Sequence, residues 1–348
     1  MANFASTVLQ DAQAKQISNY ADLFQGRPNN SFVMDMFLKT RSITLPNLAD
    51  IRQADTQTTT TLYQTVPSFT NGSSKSCTPS GDQGDSATVD LTWSTKTRVY
   101  QTSLKRHKGN QYSMTEAMAF DLLMMEKDLF KGAANSMETV LISYLDTNRT
   151  QYNAAYAGYH NTWDSTNFNM DVANADIASF YNYVLDEMHG NNYTNVAFND
   201  VYNTSWGANI RSQSNQGEAN STNQAFQYNN PFNFDGFASN LITMSTSDLS
   251  THYIVPDYGV AILDWNDPIN REGRVLADKE WTLYESRLFP GIMLDLFIYE
   301  TCSDTSASGG STQDVVLNYE FAFNYSIVKQ PVNESGETPI FKYNILSS

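Results

Sequence analysis

The spacing of apolar residues along this 348-residue chain changes several times, and each change predicts an element. From Gln10 to Phe24 the apolar positions Ile17, Tyr20, Ala21 and Phe24 predict a short amphipathic helix that stops near Gly26 and Pro28. Phe32 to Leu45 is apolar without a regular period and is broken by Pro46. Thr56 to Val66 is a threonine-rich, β-prone run, followed by two turn-forming clusters, Asn71-Gly72-Ser73-Ser74 and Pro79 to Gly84. Strict alternation comes next. Ala87, Val89, Leu91 and Trp93 share one face, and Thr88, Asp90, Thr92 and Ser94 the other, the mark of a half-buried strand. Two β-prone runs around a polar tip predict a long hairpin over 56–105, which is marginal alone and needs a surface to lie on.

The period then becomes helical. Ser113-Met114-Thr115-Glu116 has the spacing of a capping box, in which hydroxyl and carboxylate satisfy free N–H groups at a helix start. Ala117, Phe120, Met124, Met137, Val140, Leu141 and Tyr144 continue an apolar stripe to Asn148, with Gly132 as a point of bending or interruption. A second helix is expected over Ala175–His189, with Ile177, Phe180, Tyr181, Val184, Leu185 and Met188 inward and Gly190 at its end.

Beyond it the pattern is mostly β. Short strands are expected at Asn195–Tyr202 and Leu241–Ser245, a polar loop at 212–230, and two β-prone pieces around Pro256 in Tyr253–Trp265. Ile292 to Tyr299 is apolar on both faces. Leu317, Tyr319, Phe321, Phe323, Tyr325 and Ile327 alternate with Asn318, Glu320, Ala322, Asn324 and Ser326, predicting an amphipathic strand. The Gly/Ser-rich stretch 303–311 between them favours an antiparallel pair.

Composition narrows the function. Charged residues make up only 17%, with Asn, Thr, Ser and Tyr in their place, a surface suited to protein contact and also to secreted sugar-binding proteins, so composition alone does not decide. Charge is also unevenly placed: residues 1–150 hold 14 basic and 14 acidic residues, and 151–348 hold 7 basic and 23 acidic, so the whole net charge of −16 lies in the second part. That sign argues against a nucleic-acid binder and for a surface that repels DNA. No secretion signal is read near Met1, and no run approaches the roughly 18 apolar residues of a membrane span. The Asn-x-Ser/Thr triplets at Asn29, Asn71, Asn192 and Asn220 are expected by chance in such a composition. Cys77 and Cys302 are read as reduced thiols.

The chain has no phosphate-binding, dinucleotide, zinc-protease or serine-hydrolase signature. His107, His160, His189 and His252 are far apart and are expected at the surface or at helix caps rather than on a metal. Asp264 and Asp267 around Trp265, with Glu285 near Trp281 and Tyr284, are the carboxylates a glycosidase would need. Asp82 and Asp85 are read as solvated turn residues rather than calcium ligands. One cluster rises above this background: Lys96, Arg98, Lys105, Arg106 and Lys108, in a stretch with no acid between Asp90 and Glu116. These residues are read as a solvated basic strand, as a subunit interface for the acidic half of another copy, or, third, as a nucleic-acid contact, which the net charge of the whole molecule disfavours.

The order of these elements resembles tailed-bacteriophage major capsid proteins of the Hong Kong 97 type. Leu263 to Arg271 and Tyr299 to Asp304 are similar to stretches in capsid proteins of phages infecting Bacteroidetes. The resemblance implies an α+β fold with an N-terminal arm at 1–55, an extended β-hairpin loop at 56–105, and a peripheral domain with a spine helix at 106–174. It further implies an axial α/β domain at 175–280 and C-terminal strands at 281–348 returning to the peripheral domain. It implies a major capsid protein and no enzyme, with no cofactor, assembling in the host cytoplasm into hexamers and pentamers of an icosahedral virion. Such a shell encloses double-stranded DNA without reading its sequence and meets no membrane. Its partners would be a separate scaffolding protein, a portal and a decoration protein. Lys75 lies near the hairpin tip, but the crosslinking of some relatives is not carried over to it. The alternatives are a tail-tube or decoration protein, against which the long helix counts, and a carbohydrate-binding module or glycosidase.

Overall fold

A computed structural model of the chain describes residues 32–40, 59–66, 85–92, 94–103, 111–151, 162–190, 197–206, 234–257, 259–265, 275–276, 279–289, 291–304, 313–329 and 338–347. The helix expected at Gln10–Phe24, the hairpin tip and the loop 212–230 lie outside these residues. The first described element is helix α1 (Phe32–Thr40), where the sequence shows only an irregular apolar run. Val33, Met36, Phe37 and Thr40 are buried at a spacing of three and four, so one face is enough to fix the helix. Thr40 also accepts the Ile262 N–H through its hydroxyl at 3.1 Å.

The hairpin strands β1 (Thr59–Val66) and β2 (Asp85–Thr92) form a two-stranded sheet of their own. β3 (Ser94–Ser103) follows and belongs elsewhere. The expected long helix is α2 (Gln111–Thr147), 37 residues, which at 1.5 Å per residue is about 55 Å. It begins before Ser113, so that residue lies in the first turn rather than ahead of it. The helix also passes Gly132 without interruption.

Two compact units are present. The first contains α1, β3, α2 as far as Glu138, and the chain from Ile262 to Ser326. Its sheet takes the order β10-β11-β12-β13-β3, from β10 (Val275–Leu276), β11 (Lys279–Glu285), β12 (Met293–Asp304) and β13 (Gln313–Lys329), and β9 (Val260–Asp264) also pairs with β13. β12 and β13 are antiparallel neighbours, as expected from the linker between them. Tyr319, Phe321, Phe323 and Tyr325 are buried on one face of β13. The opposite face, expected to meet solvent, is closed as well: Asn318, Ala322, Asn324 and Ser326 are all buried.

The second unit contains the rest of α2, the chain to Ala261, and the chain from Ile327. Its sheet runs β4-β5-β14-β8-β6-β7, from β4 (Thr162–Asp164), β5 (Asn169–Val172), β6 (Phe198–Asn203), β7 (Phe234–Ser239), β8 (Asp248–Pro256) and β14 (Phe341–Leu346). β14 is parallel to β5 and antiparallel to β8. The helix expected at Ala175–His189 is a 3-10 turn (Asn174–Ser179) leading into α3 (Phe180–Gly190). Phe180, Val184 and Met188 are fully buried on the sheet, beside Ile177, Tyr181 and Leu185. The strand expected at Leu241–Ser245 is not formed. That segment is a turn held by Asn203 Nδ2–H on the Ile242 carbonyl at 2.7 Å, and the strands flank it as β7 and β8. Only Ile242 there is buried, whereas Leu241 is exposed, so the apolar run has one inward residue and too little to hold a strand.

Candidate assembly surface

β3 carries the basic residues singled out from sequence, and its pairing fixes where they point. It runs antiparallel to β13 in unbroken register from Tyr325 opposite Ser94 to Val316 opposite Ser103. Lys96 is opposite Phe323, Arg98 opposite Phe321, and Tyr100 opposite Tyr319. Cross-strand partners share a face, so these three stand on the aromatic, helix-covered side. There they meet successive turns of α2. Tyr100 donates to Asp121 at 2.9 Å, Arg98 pairs with Asp128 at 3.3 Å, and the Lys96 stem passes Gly132, where an added Cβ would lie 3.4 Å from Lys96 Cε. A Cβ there would be in ordinary contact with the lysine stem, so the helix runs through Gly132 without needing a glycine. The Arg98–Asp128 pair is at the surface, with side chains 57% and 53% exposed, and such a pair contributes little to stability. Lys105, Arg106 and Lys108 lie outside the described residues.

The other side of β3 carries Thr95, Thr97, Val99 and Gln101, all exposed. Beside it Lys279 forms a 2.7 Å ion pair with Glu320, opposite Val99, and its ammonium sits 4.3 Å from the Tyr299 ring centre. Deeper in the same face, buried Asp295 accepts from Trp281 Nε1–H at 3.1 Å and from Asn324 Nδ2–H at 2.8 Å; the Thr95 hydroxyl closes the line on Asn324 Oδ1 at 2.6 Å. The chain of polar groups crosses β11, β12, β13 and β3. It accounts for buried Asn324 on a strand whose pattern alone points to a wet face.

Other polar clusters are interior. Glu126 sits within the apolar stripe of α2, between buried Leu123, Met125 and Leu129. It accepts from the Ser286 hydroxyl, from the Tyr284 hydroxyl at 3.1 Å and from the Leu288 N–H at 3.1 Å, so it holds the turn between β11 and β12. Burial pushes its carboxyl above the usual carboxylate range, and these hydrogen bonds offset only part of that rise. Glu285 is exposed and accepts from the Gly291 N–H at 3.3 Å; Gly291 itself has a φ of 86°, a left-handed turn that favours glycine. In the second unit, Tyr343 donates to buried Glu187 at 2.7 Å.

Several expectations change here. His252, expected at the surface or a cap, is fully buried on β8, with Nδ1 against Asp200 of β6. Asp264 is buried on β9 and Trp281 is buried on β11, so neither presents itself to a sugar; Asp267 lies outside the described residues. His189 is exposed at the end of α3. Among the described residues, no three His, Cys, Asp or Glu side chains converge as a metal site would require, and no helix is long and apolar enough to cross a membrane. Cys77 lies outside the described residues, and Cys302 is on β12.

No family profile and no curated protein matches this chain. Solved structures similar to it include the cyanophage A-1(L) capsid asymmetric unit, at 10% identity over 91% of this chain and 93% of that one, with a TM-score of 0.43. Mycobacterium phage Adephagia is similar at 11% identity over 94% and 93%, with a TM-score of 0.42. The capsid of an empty GTA particle is similar at 10% over 89% and 94%, also with a TM-score of 0.42.

Proposed function

We propose that this chain is a major capsid protein, a self-assembling subunit of a phage shell with the Hong Kong 97 type of fold. The observation that carries the reading is the β1–β2 hairpin. Among the described residues it joins neither six-stranded sheet. Two strands alone gain too little burial to be stable, so a hairpin of this kind needs a surface, and a neighbouring subunit supplies one. The elements around it support the same reading: a 37-residue helix packed on the first sheet and a second unit built on a separate sheet.

In this reading 1–55 is an arm, 56–105 the extended loop, and 106–174 the peripheral domain with α2 as its spine. Residues 175–280 make the axial domain as read from the sequence; its sheet also takes in β4, β5 and β14, while β10 within that range belongs to the first sheet with the other C-terminal strands. Hexamers and pentamers of the chain close an icosahedral head around double-stranded DNA. Scaffolding, portal and decoration proteins would be separate chains, and assembly would take place in the host cytoplasm. Lys96, Arg98, Lys105, Arg106 and Lys108 would meet the acidic half of a neighbour, fixing register and speeding encounter more than adding affinity.

Deleting residues 68–86 tests this directly. The expected product is a folded subunit, by circular dichroism and melting, that gives no shells in negative-stain electron microscopy. Normal particles from that deletion would sink the reading.

A further inference from the structure

β3 ends its sheet: β13 lies on one side, and among the described residues no strand lies on the other. Edges of this length display a row of N–H and C=O groups, and proteins blunt them with proline, bulges or brevity. β3 uses none of these. It is ten residues long, has no proline, and keeps register with β13 throughout. A strand covered on one face shows alternating exposure, but here Thr97, Arg98 and Val99 are exposed in succession, Val99 at 42%. The edge itself therefore meets solvent. Its one protective device is charge, from Lys96 and Arg98, and charge discriminates instead of forbidding: it repels a basic strand and admits an acidic one. The exposed Arg98–Asp128 pair holds its guanidinium weakly enough for an incoming carboxylate to share it.

The same chain supplies the complement, since residues 151–348 hold 23 acidic and 7 basic residues, while 91–115 contain no acid. We infer that the outer edge of β3 is a strand-addition site for a second copy of this chain, which pairs through its main chain using an extended segment of its acidic half. The inference rests on the self-assembly reading and adds the mode of contact. Main-chain bonds would give the affinity, and Lys96 and Arg98 would select the partner.

In an antiparallel pair, successive residues point both backbone groups toward the neighbour and then both away. Of Thr97 and Arg98, one N–H therefore faces β13 and the other faces outward. Thr97→Pro and Arg98→Pro are made in the full chain, with Arg98→Ala as the charge control. The inward proline removes a ladder bond and lowers the melting temperature; the outward one melts like the parent chain. The outward proline variant is expected to stay folded yet lose particles in electron microscopy, with its light-scattering mass falling to that of one chain, while Arg98→Ala still assembles. Assembly of the outward variant at the parent level overturns strand addition and leaves the capsid reading standing. A parent chain that never associates also overturns strand addition, whose affinity comes from a second copy of the chain alone. Hydrogen exchange of the parent chain gives a readout independent of variants: the outward β3 amides should exchange at least tenfold more slowly in particles than in dissociated subunits, and equal rates would also overturn the inference.

Discussion

His252 Nδ1 lies 3.0 Å and 3.1 Å from the two carboxylate oxygens of Asp200, and both side chains are sealed from water. The Tyr181 hydroxyl donates to the same carboxylate at 2.8 Å. The rings of Phe180, Trp206 and Tyr202 stand 4.8, 5.0 and 5.7 Å from the imidazole. No substrate reaches such a group. It ties β6, β8 and α3 together inside the second unit.

Asp200→Ala leaves the buried imidazole without this partner and removes one acceptor of the half-buried Tyr181 hydroxyl. The expected cost is about 3–5 kcal/mol, against about 1 kcal/mol for Tyr181→Phe, which removes one donor. Urea unfolding of both variants and of the double variant checks this, with coupling between the two positions as the signature of the shared carboxylate.

Glu126 predicts a pH effect of unusual sign. Its carboxyl titrates higher in the folded chain than in the unfolded one, so the folded state binds the extra proton, and its contribution to stability falls as pH rises from near 4.5 through the raised value. Glu126→Gln should flatten that part of the profile and keep an acceptor for the turn. Glu126→Ala should cost about 2–4 kcal/mol near pH 4.5 and less as pH rises, by stranding the donors from Ser286, Tyr284 and Leu288. Melting temperatures of the three proteins from pH 4.5 to 8 separate these outcomes.

Asp146 predicts the opposite slope. Burial raises its carboxyl, but hydrogen bonds from Lys342 at 2.9 Å and Tyr253 at 2.8 Å, with the charges of Lys342 and Arg149, outweigh burial and hold it below the usual range. Its contribution is present above the ordinary carboxylate range and is lost as pH falls through the lowered value. Lys342→Met should cost about 1 kcal/mol at pH 7, kept small by the half-exposed carboxylate, and less at pH 2. Chemical unfolding at the two pH values gives the comparison.

Phe323 contacts Phe37 at 5.6 Å and Phe130 at 5.8 Å between ring centres, joining α1, α2 and β13. Phe323→Ala should cost about 3–5 kcal/mol, because the neighbouring rings collapse only partly into the space. Urea midpoints report it. Val140→Ala, at an exposed apolar site on α2, should stay within about 0.5 kcal/mol of the parent.

Elements with strong periodicity were legible in the sequence. Met137 and Leu141 of the stripe on α2, the inward positions of α3, and the antiparallel pairing of β12 with β13 follow from spacing, whereas Val140, read into the same stripe, is exposed. Illegible elements had their decisive partners far away in the chain. α1 becomes a helix because Val33, Met36, Phe37 and Thr40 find a core, and Thr40 bonds to Ile262, 222 positions on. Asn324 reads as a solvent residue until Thr95 and Asp295 are placed beside it. The basic run 96–108 was visible as charge, but only the register with β13 shows that Lys96 and Arg98 lean toward α2 while the edge beside them stays open.

The two buried faces of β13 have a consequence for how the chain folds. A strand with one wet face pays little when it slides by two residues and tolerates some error. On β13, a slip of one residue would drive Asn318, Asn324 and Ser326 among aromatic rings and push Tyr319, Phe321 and Phe323 onto the Asp295 network. A slip of two would still part Asn324 from both Thr95 and Asp295. The strand therefore works as a proofreading key: a misaligned chain fails to close on either side, and only the correct frame leaves β3 as a regular edge.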